Sequence, residues 1–458
     1  MKRFFCCLFS FVAIFTFTSE GREKPNILFV LFDDMGYGEP TSYRPASLFR
    51  TPNIDRMAKE GMRFTDAHAS AASCTPTRYG FLTGRYPHRI GQFGVLSTFS
   101  PPLIPEHRLT IASYLKQNGY ITACIGKWHL GMNWGRPKTK GKNKTKKELK
   151  IGEKMTGGPN AVGFEYFYGF THARNIQTVI EQDTVVREVK PVENQPLMIA
   201  RAVEFLKEQS SNKEKPFFLY FPMCPPHKPV VPAPEYVGKG GGEGKGSYGD
   251  WVYQGDSMLG QLLDTLESTG LADDTLVIVS ADNGAAGREY PPLRDDKGSI
   301  YEGGHREPFL AKWPGRIKPG STSDQIISIT DIFATCSEII GVPLPDNAGE
   351  DSVSFLNCLL GKQVGPFREA SVRQSGKKAF AIRKGKWKLI VHGDNKRELF
   401  DLNLDLGETN NIIRTHPQVA VELSSLLQSY LDRGRSTPGK AQPLEYKISL
   451  DEIRFKKK

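Results

Sequence analysis

The sequence has 458 residues, 39% hydrophobic and 24% charged, enough to hold one large domain and a smaller one; it is neither a disordered polyelectrolyte nor a small disulfide scaffold. The net charge of +11 arises from 61 basic and 50 acidic residues, but nine basic and two acidic ones fall between Arg136 and Lys154. The excess is therefore local, has no interleaved aromatics, and gives no reason to expect a nucleic-acid partner.

Met1-Lys2-Arg3 followed by the apolar run Phe4 to Thr18 and polar Ser19 to Arg22 reads as a secretory signal peptide over residues 1–21. The run is shorter than the roughly 20 residues of a membrane span. The expectation is an exported protein, periplasmic or secreted, without stable membrane insertion.

Short apolar runs at Ile27 to Phe32, Ile121 to Ile125, Phe217 to Phe221 and Thr275 to Ser280 read as strands covered on both faces. Helical patterns at Asn53 to Glu60, Thr110 to Gln117, Ala200 to Gln209 and Ser257 to Ser268 lie between them. This alternation predicts an α/β fold, with a mostly parallel central sheet and helices on both faces. The basic stretch from Arg136 reads as a solvated insert or as an electrostatic funnel for a polyanion, and holds the sequon Asn143-Lys144-Thr145. From about Pro366 the pattern changes to short antiparallel strands at Lys378 to Ile382, Trp387 to Val391 and Glu398 to Asp401, then a helix near Pro417 to Asp432. The expected division is a catalytic domain over 22–362 and a smaller α+β subdomain over 363–458. Cys124, Cys224, Cys336 and Cys358 show no zinc or redox spacing, leaving buried thiols or one or two bridges open.

Polar residues follow each predicted strand: Asp33-Asp34, then Lys127 and His129, then His227, then Asp282-Asn283. In open α/β sheets ligands bind beyond the carboxyl ends of the strands, so the four sets point to one site. Asp33, Asp34, Asp282 and Asn283 offer only oxygen, which suits calcium first and magnesium second. Lys127 and His129 project to one face if their strand continues. His227 sits in Pro225-Pro226-His227-Lys228-Pro229, a restrained loop that suits a positioned acid. Cys74-Thr75-Pro76-Thr77-Arg78 reads as the start of a helix running to Gly84, with Cys74 near the N-cap, where a thiolate or a bound oxyanion is favoured.

The run Cys74 to Arg78, continued by Tyr79 to Pro87, resembles the signature of type I sulfatases, whose cysteine is oxidised to formylglycine by a maturation enzyme. Asp33-Asp34, Gly126 to Gly131, His227, Ser280 to Gly284, Lys297 with Glu302-Gly303-Gly304, and Glu398 to Leu402 with Gly407 to Asn410 resemble the same family in its order. The resemblance implies an alkaline-phosphatase-like fold and a sulfuric ester hydrolase acting on a sulfated carbohydrate or aryl sulfate. Carried over by position, Asp33, Asp34, Asp282 and Asn283 bind calcium together with the modified Cys74. Arg78, Lys127 and Lys297 steady the nucleophile and sulfate oxygens, His129 and His227 move protons, and Thr171 and His172 contact substrate. Two departures stand out: Thr171 replaces a frequent serine, and His305 stands where an apolar residue is common. The alternatives are a phosphodiesterase or phosphonate monoester hydrolase of the same frame, and a glycan-binding protein without catalysis.

Overall fold

Asn26–Asp33 carries no polar residue between its ends, and in the computed structural model all eight of its residues are buried. The structure describes residues 24–135, 148–212, 214–242, 247–376 and 378–450. The signal segment, the sequon, most of the basic stretch and the last eight residues lie outside them.

The strands in chain order are β1 (Asn26–Asp33), β2 (Met62–Phe64), β3 (Ala67–His68), β4 (Ile121–Lys127), β5 (Tyr166–Phe170), β6 (Thr178–Glu181), β7 (Thr184–Glu188) and β8 (Phe217–Pro226). They continue with β9 (Thr275–Ala281), β10 (Phe309–Lys312), β11 (Ser321–Ser323), β12 (Ile327–Ser328), β13 (Ser371–Gln374), β14 (Phe380–Lys384), β15 (Trp387–Val391) and β16 (Arg397–Asp401). The helices are α1 (Pro52–Glu60), α2 (Cys74–Thr83), α3 (Ile111–Gln117), α4 (Pro191–Ser211), α5 (Tyr248–Ser268), α6 (Glu302–His305), α7 (Ile332–Ile340), α8 (Leu356–Leu359) and α9 (Pro417–Asp432).

Ten strands form one sheet in the order β11-β2-β10-β9-β1-β8-β4-β5-β6-β7. From β9 to β5 every pairing is parallel, so the carboxyl ends of β1, β4, β5, β8 and β9 share one edge. Side chains alternate across the sheet. Ile27, Phe29 and Leu31 pack with Tyr79, Phe81 and Leu82 of α2 and Leu115 of α3. Leu28, Val30 and Phe32 pack on the other face with Met198 of α4, Trp251 and Leu262 of α5, and Met57 of α1. Burial on both faces is why these strands read as unbroken apolar runs. A separate antiparallel sheet, β13-β14-β15-β16, packs against α9.

The structure extends several predicted elements. α4 starts at Pro191, not Ala200, because Pro191 opens its first turn and Pro196 is accommodated inside the helix. α5 starts nine residues before Ser257. A Cβ at its Gly255 would lie 2.8 Å from the Phe32 ring and 3.0 Å from Pro225, so glycine lets α5 approach the sheet. Strands β5 to β7, β10, β11 and β13 escaped the sequence pattern. β11 is Ser-Thr-Ser, with no apolar residue, and becomes a strand by pairing with β2. The five cysteines among the described residues are all free and buried.

Arg89, just past α2, grips Asp351 through two contacts of 2.6 Å, while Asp351 also accepts from the Tyr86 and Ser436 backbone N–H groups. Arg89 further donates to the carbonyl of Tyr430 in α9, so this buried pair joins the two parts of the chain. Asp351→Ala strands the guanidinium and is expected to cost about 3 kcal/mol of stability, read as a fall in the urea midpoint with little change in slope.

Candidate active site

α2 supplies the floor of the site. Ser73 is its N-cap, Cys74 its first residue, and Gly84 ends it in the left-handed conformation with its N–H on the Gly80 carbonyl. Every side chain of α2 is buried, so its low amphipathicity reflects contacts all round. Arg78 projects beneath the sheet edge and donates to Asp282 Oδ2 from Nε at 3.0 Å and Nη2 at 2.7 Å. Its Nη1 donates to the Lys127 carbonyl (3.1 Å) and Tyr220 Oη (3.4 Å), and Asp33 Oδ1 lies 3.6 Å away. Arg78 therefore holds the ends of β1, β4 and β9 together and reaches into β8.

The four oxygen-bearing residues converge. Candidate ligand atoms of Asp33, Cys74 and Asp282 lie within 4.8 Å of one another, as do those of Asp33, Asp34 and His227. Asp34 adopts φ 68°, its N–H donates to Asp282 Oδ1 at 3.1 Å, and Asn283 Nδ2 donates to Asp34 Oδ1 at 2.7 Å. Asp33 Oδ1 and Asn283 Oδ1 are buried without a hydrogen-bond partner among the described residues. Unpaired oxygens in an all-oxygen donor set are what a hard divalent cation takes up. Burial pushes the Asp282 carboxyl up, aided by the negative charge of Asp33; the Asp33 carboxyl, also penalised by burial, is held below the carboxylate range by Lys127, His227 and Arg78.

The cations bracket this set. Lys127 Nζ donates to Asp33 Oδ2 at 2.5 Å, and Lys297 Nζ to Asp34 Oδ1. Burial alone would lower both ammonium groups, but the carboxylates beside them outweigh it and keep both charged. Cys74 behaves oppositely: burial raises its thiol despite both lysines, so the helix start does not yield a thiolate.

His129 corrects one expectation. β4 ends at Lys127, and His129 sits beyond it with φ 59°, so the pair meets through a loop and not through strand alternation. Its Nε2 lies 3.0 Å from the Leu96 carbonyl, which can only accept, so the proton is on Nε2. Nδ1 is then a bare lone pair, buried and unpartnered among the described residues. Burial and the charge of Lys127 hold His129 well below its ordinary pKa, hence neutral. His227 uses Nδ1 on the Lys228 carbonyl and turns Nε2 toward Asp34 Oδ2 at 3.7 Å. Burial lowers it too, opposed by Asp33.

Thr171 and His172 extend β5 into the same edge, with the His129 N–H on the Thr171 carbonyl at 2.7 Å. His172 Nδ1 accepts from the Arg174 N–H, so Nε2 donates to Thr98 Oγ1 at 2.8 Å. The Thr98 hydroxyl proton is left to point elsewhere. Thr98, Tyr220 and Thr75, whose Oγ1 donates to the His129 carbonyl at 3.0 Å, were not singled out in the sequence; only Thr75 carried a signal, inside the Cys74 motif.

His305 is absorbed by a buried network. Its Nδ1 lies 3.1 Å from His68 Nδ1, and His68 Nε2 lies 2.6 Å from Asp66. Lys388 of β15 reaches His305 Nε2 (3.2 Å), Glu302 (2.9 Å) and Glu408 (2.7 Å). The C-terminal sheet also reaches the loop before Cys74 directly, for the Ala72 N–H donates to the Gln374 carbonyl at 3.0 Å.

Comparison with known proteins agrees with this geometry. The sulfatase family model matches residues 25–342, and that of the N-sulphoglucosamine sulphohydrolase C-terminal region matches 294–435. The chain belongs to the sulfatase family: it is a type I sulfatase of the alkaline phosphatase superfamily and a sulfuric ester hydrolase. It is 30% identical to an N-acetylgalactosamine-6-O-sulfatase of Bacteroides thetaiotaomicron, over 90% of this chain and 94% of that one. It is 33% identical to arylsulfatase A of Bos taurus, over 87% and 85%. A solved structure from work on glycosaminoglycan metabolism by Bacteroides thetaiotaomicron superposes with TM-score 0.80 at 30% identity, covering 89% of this chain and 99% of that one. A phosphonate monoester hydrolase of Agrobacterium radiobacter shares the fold, with TM-score 0.62 at 19% identity.

Arg78→Met leaves Asp282 buried beside Asp33 without its partner. The expected loss is about 3 to 5 kcal/mol of stability, measured by urea unfolding, with Arg78→Lys recovering only part because lysine cannot make the two-point contact.

Proposed function

We propose that the chain removes sulfate from a sulfated carbohydrate through a nucleophile made from Cys74, with calcium, or magnesium in second place, held by Asp33, Asp34, Asp282 and Asn283. The observation that carries this is the buried, protonated Cys74 beside Asp33 and Asp282. A thiol in that state is a poor nucleophile. Conversion to formylglycine by a maturation enzyme supplies instead a hydrated aldehyde, whose one hydroxyl attacks sulfur and whose other permits sulfate to leave. Calcium held by Asp33, Asp34, Asp282 and Asn283 would neutralise the crowded carboxylates and supply Lewis acidity to the oxygens there.

The chain's own groups do the remaining work. Each lysine spends one of its three donors on a carboxylate, leaving two for sulfate oxygens as charge shifts onto them. His129 takes a proton at Nδ1, the nitrogen left bare by the Leu96 contact. Lys297 gives a proton to the departing ester oxygen, or His227 gives one from Nε2 when its ring carries both protons, since the Nδ1 proton is held by the Lys228 carbonyl. Thr171, His172 and Thr98 line the approach and suit the hydroxyls of a sugar. The name of the N-acetylgalactosamine-6-O-sulfatase relative supports a sulfated carbohydrate, and that of arylsulfatase A keeps an aryl sulfate as the other substrate class.

The N-terminal segment supports export to the periplasm or the exterior, and among the described residues no helix is long and apolar enough to cross a membrane.

Matured, calcium-loaded protein is expected to release sulfate from 6-sulfated N-acetylgalactosamine and from an aryl sulfate, and to act far more slowly on the matching phosphodiester. Faster phosphodiester cleavage would overturn the assignment. His129→Ala should lower kcat by at least about 100-fold. Chelator-stripped protein should regain about 2.7 kcal/mol of stability at calcium one hundred times its Kd, and Asp33→Asn should abolish that gain in a thermal melt.

A further inference from the structure

A cleft of about 870 Å³ lies between the edge of the large sheet and the β14–β15 turn, and none of the groups assigned above opens into it. Its walls carry Arg306, Arg368, Arg383, Lys384 and Lys386 against Asp66, Asp324 and Glu369, so cations prevail five to three. Phe367, Leu402 and Leu406 add an apolar lining.

Asp66 and Glu369 are engaged, and the cations hold partners too: Arg306 on Glu302, Arg368 on Asp331, Lys384 on Glu422 and Lys386 on Asp401, the two lysines with exposed side chains that a ligand can reach. Asp66 lies 2.6 Å from His68 Nε2, 3.5 Å from Arg306 and 3.3 Å from Arg383. Arg383 is 8% exposed; its Nε donates to the Gly385 carbonyl and its Nη2 to Asp66, but Nη1 is buried with no partner among the described residues. An unpaired guanidinium N–H is costly unless a ligand or water accepts it. A cleft rich in basic residues with an apolar lining suits a sugar ring that bears sulfate or carboxylate, and Arg383 lines it.

Position favours a polymer. The end of β13 touches the loop before Cys74 through Gln374 and Ala72, whereas the β14–β15 turn lines the cleft. β14 runs between them with five residues, a span of about 15 Å at the usual strand rise. We propose that this cleft is a second binding site for an anionic saccharide, holding a distant segment of the same sulfated polymer whose ester is hydrolysed beside Cys74; it rests on the carbohydrate-sulfatase reading of the active site. Holding the polymer there raises its effective concentration at the nucleophile without any new catalytic contact.

The test compares the full, matured, calcium-loaded chain with the double variant Lys384→Gln/Lys386→Gln, whose lysine side chains are 39% and 45% exposed, and with Arg383→Gln. The two substrates are 4-nitrophenyl sulfate and a hexasaccharide containing 6-sulfated N-acetylgalactosamine. The variants should raise KM for the hexasaccharide by about threefold or more, with kcat and both constants for the small ester retained. An unchanged hexasaccharide KM, or equal changes on both substrates, overturns the proposal. If the unsubstituted chain hydrolyses neither substrate, the active-site reading fails separately. Titration of the hexasaccharide into Cys74→Ser protein then decides the cleft: binding lost in the lysine variant supports it, and binding retained overturns it. Polyglutamate binding as tightly as the saccharide would overturn it in favour of an acidic peptide.

Discussion

The two-point contact between Arg78 and Asp282 is the constraint on which the site depends. It lies wholly out of solvent and ties α2, the helix that Cys74 begins, to the end of β9, while a third donor of the same guanidinium holds the carbonyl of Lys127 at the end of β4. A buried carboxylate and a buried guanidinium each need the other, since either alone would carry a heavy desolvation cost. Because the pair cannot separate cheaply, α2 has one seating beneath the sheet, and Cys74 at its start is delivered to the oxygens of Asp33 and Asp282.

Charge balance decides what this arrangement accepts. Asp33, Asp34 and Asp282 face Arg78, Lys127 and Lys297, while burial keeps His129 neutral. Behind them Glu307 is pushed up by burial and by the charges of Asp282 and Asp34, so it adds no further negative charge. A divalent cation brought into this balanced set leaves room for one singly charged ester and one deprotonated nucleophile. A sulfate monoester meets that condition; a doubly charged phosphate monoester exceeds it. The count of charged groups thus disfavours a phosphate monoester, apart from any family likeness, while a singly charged phosphodiester satisfies it as a sulfate ester does.

Much of this was legible in the sequence because the parallel strands are buried on both faces and so appear as apolar runs, and because each is followed at once by its polar residues. Cys74 to Arg78 and the flanking Gly84 fixed a helix whose start and end both appear in the structure. What escaped detection depends on partners distant in sequence. Ser321 to Ser323 is a strand only because β2 lies beside it, and Thr98 matters only because His172 is brought to it by β5. His305 looked like an anomaly in a motif; it is satisfied by His68 and by Lys388, 83 residues further on. The strand reading of Lys127 and His129 failed at the left-handed backbone of His129, a conformation no spacing rule announces.

The central claim is that Cys74 is the precursor of the nucleophile and does not act as a thiol. The most direct test is the mass of the tryptic peptide Phe64 to Arg78 from protein matured in a competent host, taken alongside its rate of sulfate release. The account predicts the mass change that accompanies conversion of the thiol side chain to an aldehyde, with activity in proportion to the converted fraction. Full activity from protein that carries only unmodified cysteine would contradict it.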